Sequence, residues 1–398
     1  MHILPSFKFR SFAIAAMVVS MTHTAFAQSW QQQVDSDIHV TLDDTRHELR
    51  GDIAITYHNN SPETLDFVWM HLWPNAYRNG KTALAKQQFR DGEMFMFYAM
   101  SRDLGGIDSL AFHSTGRPLQ WSHHPDHIDI AQVQLPAPLG PGESIEISTP
   151  FRVDLPSGQI SRLGHIDQSY QITQWYPKPA VFDADGWHPM PYLNQGEFYS
   201  EYGTFDVRIT LPENYTVGAT GDFVPGSADN NKEAQRLDSL VKATEQWVID
   251  EGWSEATEDF PPSAERMKTL HYRQSRVHDF AWFADKRYKV LRGEVLLPNE
   301  DRVVTTWSMF TPMEGDLWQK APEYLHDATY YYSLWNGDYP YDQVTAVDGT
   351  ISAGGGMEYP NVTVIGSTGS ASGLETVIVH EVGHNWFYGI LGSNERDN

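Results

Sequence analysis

The chain has 398 residues, enough for two or three domains and a large hydrophobic core. Its formal net charge of −24 argues against nucleic acid or an anionic membrane as a partner. Cysteine is absent, which excludes disulfides, thiolate zinc sites and cysteine catalysis.

The first 27 residues have the pattern of a secretory signal peptide. Lys8 and Arg10 form a basic segment, an apolar run follows at 11–21, and the sequence AFA at 25–27 matches the small-residue cleavage pattern. The apolar run is too short to span a bilayer. We therefore expect export to the bacterial periplasm or medium, with residues 1–27 removed and no membrane span left in the mature chain.

Alternating apolar and polar residues predict β-strands through the first three quarters of the chain. The clearest are 38–42, 51–59, 65–73, 128–135, 144–155 and 204–212. They predict an antiparallel β-sandwich domain over residues 28–298, with a polar insertion at about 225–263.

After residue 298 the pattern becomes mixed. Strands are expected at 303–310, in the segment YDQVTAVDG and at 357–366, with a helix at 314–335 that ends at Asn336 and Gly337. A second helix is expected from Ser370 or Ser372 through about residue 391. A domain therefore begins at about residue 299 and runs to the end of the sequence.

The sequence HEVGH lies on this last helix. His380 and His384 are four residues apart, so they project from one face and can hold a single Zn²⁺ ion. Glu381 points toward the open coordination position, where it can take a proton from zinc-bound water and pass it to a leaving amine. The alternative is a pair of surface histidines on an amphipathic helix, but the preceding LETVIV is apolar, as a buried zinc helix requires.

A zinc site of this kind needs three protein ligands, and the motif supplies two. The metzincin pattern requires Gly and His where this chain has Phe387 and Ile390, so that class is rejected. In the remaining plan the third ligand is a glutamate on a following helix, near position 403 and therefore past Asn398. Glu395 is an alternative ligand, although a charged loop facing water is the favoured interpretation of Glu395 and Asp397.

The segment GGGMEYP at 354–360 precedes the zinc helix. Glycine-rich backbone followed by a strand can approach a substrate main chain closely and pair with it as an added edge. Glu358 would place a carboxylate at one end of the cleft, where it suits the ammonium group of a peptide N-terminus. The alternative is an ordinary turn before a strand.

Together the two motifs resemble the aminopeptidase N family of gluzincin metallopeptidases. The resemblance implies an α+β multidomain fold: a saddle-like N-terminal antiparallel β-sandwich domain, then the start of a thermolysin-like α/β catalytic domain, truncated at 299–398. It implies one Zn²⁺ per site on His380 and His384, with Glu381 as general base. Substrate would be bound by Gly355, Gly356, Met357, Glu358 and Gln174, the last in the first specificity pocket.

Two departures from the family pattern bear on activity. Tyr359 stands where the family motif has Asn, so endopeptidase and epoxide hydrolase activities stay open beside aminopeptidase activity. The third ligand, the oxyanion-stabilising Tyr and the helical domain of the family would lie past Asn398. We therefore expect the chain to be an N-terminal fragment of a longer precursor, with weak zinc binding and no activity of its own.

The leading hypothesis is a zinc aminopeptidase acting on peptides with a free N-terminus, with the oligomeric state left open. A non-catalytic scaffold of the same fold competes with it, although a scaffold has no use for Glu381 between two histidines. A surface-binding β-sandwich with a vestigial protease lobe is a third alternative.

Overall fold

The structure, a computed structural model, describes residues 30–254, 259–349 and 355–396. The expected signal peptide lies outside the described residues. No helix in the described ranges is both long and apolar enough to cross a membrane.

The larger part of the fold, here called the β-region, contains nineteen named strands and three α-helices within the described residues. Its strands are β1 (Gln33–Asp43), β2 (Glu48–His58), β3 (Leu65–His71), β4 (Gly106–Asp108), β5 (His113–Ser114), β6 (Arg117–Pro118), β7 (Trp121–His123), β8 (Ile130–Leu139), β9 (Ser144–Asp154), β10 (Gly164–Ile166), β11 (Ser169–Ile172), β12 (Lys178–Pro179), β13 (Val181–Asp183), β14 (Gly186–His188), β15 (Gly203–Pro212), β16 (Thr216–Ala219), β17 (Asp222–Phe223), β18 (Met267–Val277) and β19 (Trp282–Asp285). Its helices are α1 (Ala83–Arg90), α2 (Phe95–Tyr98) and α3 (Ala228–Glu251).

The largest sheet of the β-region has nine strands in the order β17-β18-β15-β1-β2-β9-β5-β6, with β4 also paired to β9. In β1 the side chains of Val34, Ile38, Val40 and Leu42 are buried on one face, while their neighbours are more exposed. This period of two is what the sequence predicted. The pairing of β1 with β15 is parallel, whereas the other pairs in this sheet are antiparallel.

Two four-stranded sheets and the β13-β14 hairpin complete the β-region. The polar segment that was expected to be an insertion contains α3. This helix buries Leu237 and Trp247, and the hydroxyl of Thr244 accepts a hydrogen bond from the amide of Val290 at 3.0 Å. Its amphipathic face therefore packs on the following sheet, which the polar composition of the segment concealed.

The rest of the described chain, here called the α/β region, is a five-stranded sheet flanked by helices. Its elements are β20 (Lys289–Leu296), β21 (Val303–Phe310), α4 (Gly315–Trp318), α5 (Ala321–Asn336), β22 (Gln343–Asp348), β23 (Gly356–Tyr359), β24 (Val362–Ile365) and α6 (Ala371–Gly383). The strand order is β20-β21-β22-β24-β23, with β21, β22 and β24 parallel to one another and antiparallel edge strands on both sides. Helix α5 ends at Asn336, as the sequence predicted.

The single strand expected at 357–366 is a hairpin of β23 and β24. The chain reverses at Pro360 and Asn361, where Asn361 adopts a positive φ of 52°. Asparagine tolerates this left-handed conformation better than most residues. The hairpin makes β23 the edge strand of the sheet, beside the helix that carries the HEVGH motif.

Asn361 joins the two regions of the molecule. Its side-chain oxygen accepts hydrogen bonds from the amide of Gly221 and from Gln343, both at 2.8 Å. Its side-chain nitrogen donates to Gln274 at 2.8 Å, and its backbone amide donates to the side chain of Asn385 at 3.1 Å. A fully buried amide with every polar atom paired fixes the hairpin against both β18 and the segment after α6.

Candidate metal centre and active site

Helix α6 carries the HEVGH residues, with Glu381 buried, His384 half-buried and His380 exposed. The side chain of Ser370 accepts a hydrogen bond from the amide of Gly373 and caps the helix, as expected. Leu374, Ile378 and Val382 recur every four residues and are buried, so one face of the helix is anchored in the core. The helix itself ends at Gly383 rather than near 391, and turns follow.

The earlier end of α6 has a local cause. Gly383 packs against Tyr332 of α5, and a β-carbon at that position would meet the Tyr332 hydroxyl at 2.8 Å. Past the helix, Tyr388 has a φ of 112°, outside the helical range. The close helix contact and this backbone turn direct the chain back toward the β-region.

The two histidines of the motif converge on one point. The Nε2 atoms of His380 and His384 lie 3.1 Å apart, with the rings perpendicular. The Nδ1–H of His384 donates to the carbonyl oxygen of Phe387 at 3.0 Å, which leaves the Nε2 lone pair of His384 free to coordinate. Nitrogens that share one zinc ion at about 2.0–2.1 Å each lie roughly 3.3 Å from one another, so this spacing fits a zinc ligand pair.

Two carboxylates lie beside this pair. Glu358, Glu381 and His384 each offer a ligand atom within 4.8 Å of the others. Oε1 of Glu358 and Oε2 of Glu381 are buried and have no hydrogen-bond partner among the described residues. Buried polar atoms are nearly always paired, so two unpaired carboxylate oxygens facing one site indicate a place for a bound cation or donor. The residues present therefore fit a zinc ion.

Burial and like charge shape the electrostatics of both glutamates. Burial raises the pKa of Glu358 well above its usual range, the charge of Glu197 adds to this rise, and Arg162 opposes it. Burial likewise raises the pKa of Glu381, with further contributions from Glu358 and Glu197. Burial lowers the pKa of His380, and the neighbouring His384 lowers it further. A carboxylate with a raised pKa can both accept and return a proton near neutrality.

The glycines before Glu358 allow β23 to lie against α6. A β-carbon on Gly356 would meet Oε1 of Glu381 at 2.6 Å and Val377 at 2.8 Å. On Gly355 the nearest atom, in Val377, would be 3.6 Å away, an ordinary contact. Among the described residues β23 has β24 as its one strand partner, so its outer edge is the strand edge that the sequence predicted for pairing with a substrate.

Gln174, predicted to line a specificity pocket, is buried. Its Nε2 donates to Asp279 at 3.0 Å, and its Oε1 accepts from the hydroxyl of Tyr359 at 3.3 Å. Its φ of 47° is uncommon for a residue other than glycine. Gln174 is thus next to the Glu358 strand, and its part in substrate selection stays a prediction.

Three residues that interact with the site or lie near it gave no signal in the sequence. Arg162 is buried and pairs with Glu197 at 3.3 Å, and both act electrostatically on Glu358 and Glu381. Tyr388 is buried, donates its hydroxyl to the carbonyl of Phe198 and packs edge-on against His278 at 4.6 Å. These residues reach the site through contacts between segments far apart in the chain. Glu395 is exposed, as expected for a solvated loop.

Comparisons with known proteins identify the fold. No family model matches the sequence, and no curated protein matches it either. Among solved structures, an M1 zinc metallopeptidase from Deinococcus radiodurans has a TM-score of 0.51 at 17% identity. A two-domain M1 zinc metallopeptidase variant bound to L-tryptophan has a TM-score of 0.54 at 16% identity. A glutamate-to-alanine variant of the D. radiodurans enzyme bound to a Tyr-Ser-Ala substrate has a TM-score of 0.52 at 17% identity. Each match covers 92% of this chain and 67% of the other.

This chain has the M1 zinc metallopeptidase fold. The expectation of an aminopeptidase N-like architecture, with a β-rich first part and the start of a catalytic domain, is therefore confirmed for the fold. Within the M1 fold the chain brings together His380, Glu381, His384 and Glu358, all singled out in the sequence.

Proposed function

We propose that the protein is an exported zinc aminopeptidase that removes N-terminal residues from peptides. The observation that carries this proposal is the convergence of His380 and His384, with Nε2 atoms 3.1 Å apart, beside the unpaired carboxylate oxygens of Glu358 and Glu381. The M1 fold supports a peptidase.

His380 and His384 would hold the zinc ion, with a carboxylate as the third protein ligand. A bound zinc ion supplies Lewis acidity, polarising a carbonyl oxygen and acidifying a water molecule. The experiments below use the full-length protein.

Glu381 has the position and the proton affinity of a general base. Its carboxylate takes a proton from the attacking water as the water oxygen bonds to the scissile carbonyl carbon. It then returns that proton to the leaving amine as the C–N bond breaks. Burial raises the pKa of Glu381, and this favours the proton-bearing state that the second step needs.

Glu358 would hold the ammonium group of the substrate. Its Oε1 is buried, unpaired and 3.8 Å from Nδ1 of His384, so a cation placed there completes its hydrogen bonding next to the metal. A carboxylate that binds the substrate ammonium group next to the metal favours removal of single N-terminal residues over endopeptidase action.

The test is hydrolysis of leucine p-nitroanilide by the full-length protein and by Glu381→Gln. The variant should lose roughly 10²–10⁴-fold in kcat and keep its zinc. Glu375→Gln, on the exposed face of the same helix, is the matched control. Equal rates for Glu381→Gln and wild type would reject the mechanism, and protein purified without zinc would favour a non-catalytic scaffold.

Export is proposed from residues 1–27. N-terminal sequencing of the protein from a periplasmic or culture fraction should begin at Gln28. Recovery with an intact N-terminus from the cytoplasm would contradict this.

A further inference from the structure

A buried chain of hydrogen bonds leads from the β-region to the strand that carries Glu358. It consists of Lys178, Asp279, Gln174 and Tyr359, and it is called the buried chain below. Nζ of Lys178 lies 2.8 Å from Oδ1 of Asp279. From there the chain continues to Gln174 and then to the hydroxyl of Tyr359, the residue next to Glu358.

Asp279 anchors the buried chain of hydrogen bonds. Its Oδ1 accepts hydrogen bonds from the hydroxyl of Tyr176 at 2.7 Å and from the amide of Phe280 at 2.8 Å, besides the contact with Lys178. Burial raises the pKa of Asp279, but the ammonium of Lys178 and these hydrogen bonds outweigh burial, so the pKa is lowered. A buried carboxylate that is ionised and fully paired holds its position firmly.

Gln174 connects Asp279 of the β-region to Tyr359 of the α/β region. Its backbone is held in the left-handed region at a φ of 47°, and its side chain is 3% exposed. Because both ends of its amide are hydrogen-bonded, rotation of the amide would break two buried contacts. The hydroxyl of Tyr359 is therefore held by a hydrogen bond to a residue of the β-region.

The position of Tyr359 in the sheet explains why this hydrogen bond matters. It is the last residue of β23, an edge strand that has one partner strand among the described residues. Its backbone neighbour Glu358 has a buried oxygen without a partner. A carboxylate with an unpaired oxygen on an edge strand depends on neighbouring contacts for its placement.

We propose that Tyr359 is a positioning residue that, through Gln174 and Asp279, holds the carboxylate of Glu358 where it receives a substrate ammonium group. This inference rests on the proposed role of Glu358 as the amine anchor. An asparagine at position 359, as in the family motif, would be too short to reach from β23 to Gln174. This hydrogen bond therefore requires the tyrosine at position 359.

The experiment compares Tyr359→Phe with Tyr288→Phe in the full-length, zinc-loaded protein. Tyr288 is an equally buried tyrosine of the α/β region whose hydroxyl donates to the carbonyl of Asp348 at 3.0 Å. Tyr359→Phe should raise KM for leucine p-nitroanilide about three- to tenfold, the loss expected for one hydrogen bond, with kcat within about twofold. Tyr288→Phe should change neither constant.

Two further measurements separate positioning from a general structural effect. Inhibition by leucinamide should weaken about three- to tenfold in Tyr359→Phe, whereas inhibition by N-acetyl-leucinamide, which has no ammonium group, should not change. The Tyr359→Phe and Gln174→Met effects on leucinamide binding should not multiply in the double variant, because both remove the Tyr359–Gln174 hydrogen bond and the Gln174–Asp279 bond acts through it.

The outcomes distinguish this inference from the proposed function. A wild-type protein that cleaves no aminoacyl substrate would reject the function, and calorimetric leucinamide binding and a crystal structure of Tyr359→Phe would still test the inference. Identical leucinamide binding by Tyr359→Phe and Tyr288→Phe would overturn it. So would a Tyr359→Phe structure in which Glu358 keeps its distance from His384.

Discussion

Gly356 of β23 and Glu381 of α6 are in direct contact. A β-carbon at position 356 would lie 2.6 Å from Oε1 of Glu381, closer than real β-carbons come to other atoms. Because Gly356 has no side chain, Glu381, the proposed general base on α6, can lie against the first residue of β23. Two motifs that are 24 residues apart in sequence, at Gly356 and His380, form a single surface.

Gly356→Ala should impair catalysis without removing the metal. The added methyl group must displace the carboxylate of Glu381, because the other close atom belongs to the packed side chain of Val377. We expect kcat for leucine p-nitroanilide to fall roughly 10²-fold, the scale of a misplaced catalytic group, with zinc content unchanged. Gly80→Ala is the control, since its nearest atom would be 3.9 Å away and it lies far from the site in sequence. Equal activity of the two variants would show that Glu381 accommodates the methyl group.

His384→Ala should abolish stable zinc binding. The variant lacks one of the two Nε2 atoms that lie 3.1 Å apart. The nearby side chains offer carboxylate oxygens, which do not replace the lost imidazole nitrogen. Elemental analysis after dialysis should find close to one zinc per wild-type protein and almost none in the variant. His326→Ala, an exposed histidine of α5, should retain the metal. Full zinc occupancy in His384→Ala would place the ion elsewhere.

Glu358→Gln should remove the preference for a free N-terminus. The amide cannot supply the negative charge that an ammonium group requires, so KM for leucine p-nitroanilide should rise about 10- to 100-fold, equivalent to a charged hydrogen bond of about 1.5–3 kcal/mol. Zinc content should stay the same. Glu375→Gln, on the exposed face of α6, should have little effect. Loss of zinc from Glu358→Gln would instead make Glu358 a metal ligand.

The stability of the protein should fall as the pH rises from about 4.5 to about 8 because of Glu201. Burial raises the pKa of Glu201 to about 8 from an ordinary 4.5, with the amide of Phe182 opposing this shift and the charge of Asp183 adding to it. The folded state binds the proton more tightly, so this stabilisation is complete below about pH 4.5 and is lost as the pH rises through about 8.

Glu201→Gln keeps the hydrogen bond from Phe182 and removes the charge. Urea unfolding should therefore show the variant gaining about 4 kcal/mol on wild type between pH 5 and pH 9, since one pKa unit corresponds to about 1.4 kcal/mol. Glu146→Gln, an exposed position on β9, should follow wild type at every pH. Parallel curves for all three proteins would contradict a buried, proton-bearing Glu201.

The sequence predicted those parts of the site that depend on local geometry. The spacing of His380 and His384 fixes their common face because a helix repeats every 3.6 residues, and Ser370 caps that helix as expected. The β23-β24 hairpin was missed because its turn consists only of Pro360 and Asn361, with strand-forming residues on both sides. Helix α3 was missed because its buried residues are few and widely spaced.

The residues that the sequence could not reveal reach the site through long-range contacts. Arg162 and Glu197 lie in loops of the β-region. Nothing in their spacing relates them to the HEVGH motif some 200 residues later. Tyr388 follows the motif closely, yet its contacts with Phe198 and His278 depend on the turn that ends α6. Such pairings follow from the whole fold rather than from any local pattern.

Asn361 has a consequence for modular exchange within this fold. Its side chain bonds to Gly221 and Gln274 on one side and to Gln343 on the other, while its backbone bonds to Asn385. A chimera that joins helix α6 to the β-region of another protein with this fold would leave a fully buried amide with mismatched neighbours unless its partners were exchanged as well. We therefore expect such a chimera to fold well only when residues 221, 274, 343, 361 and 385 are exchanged as a set.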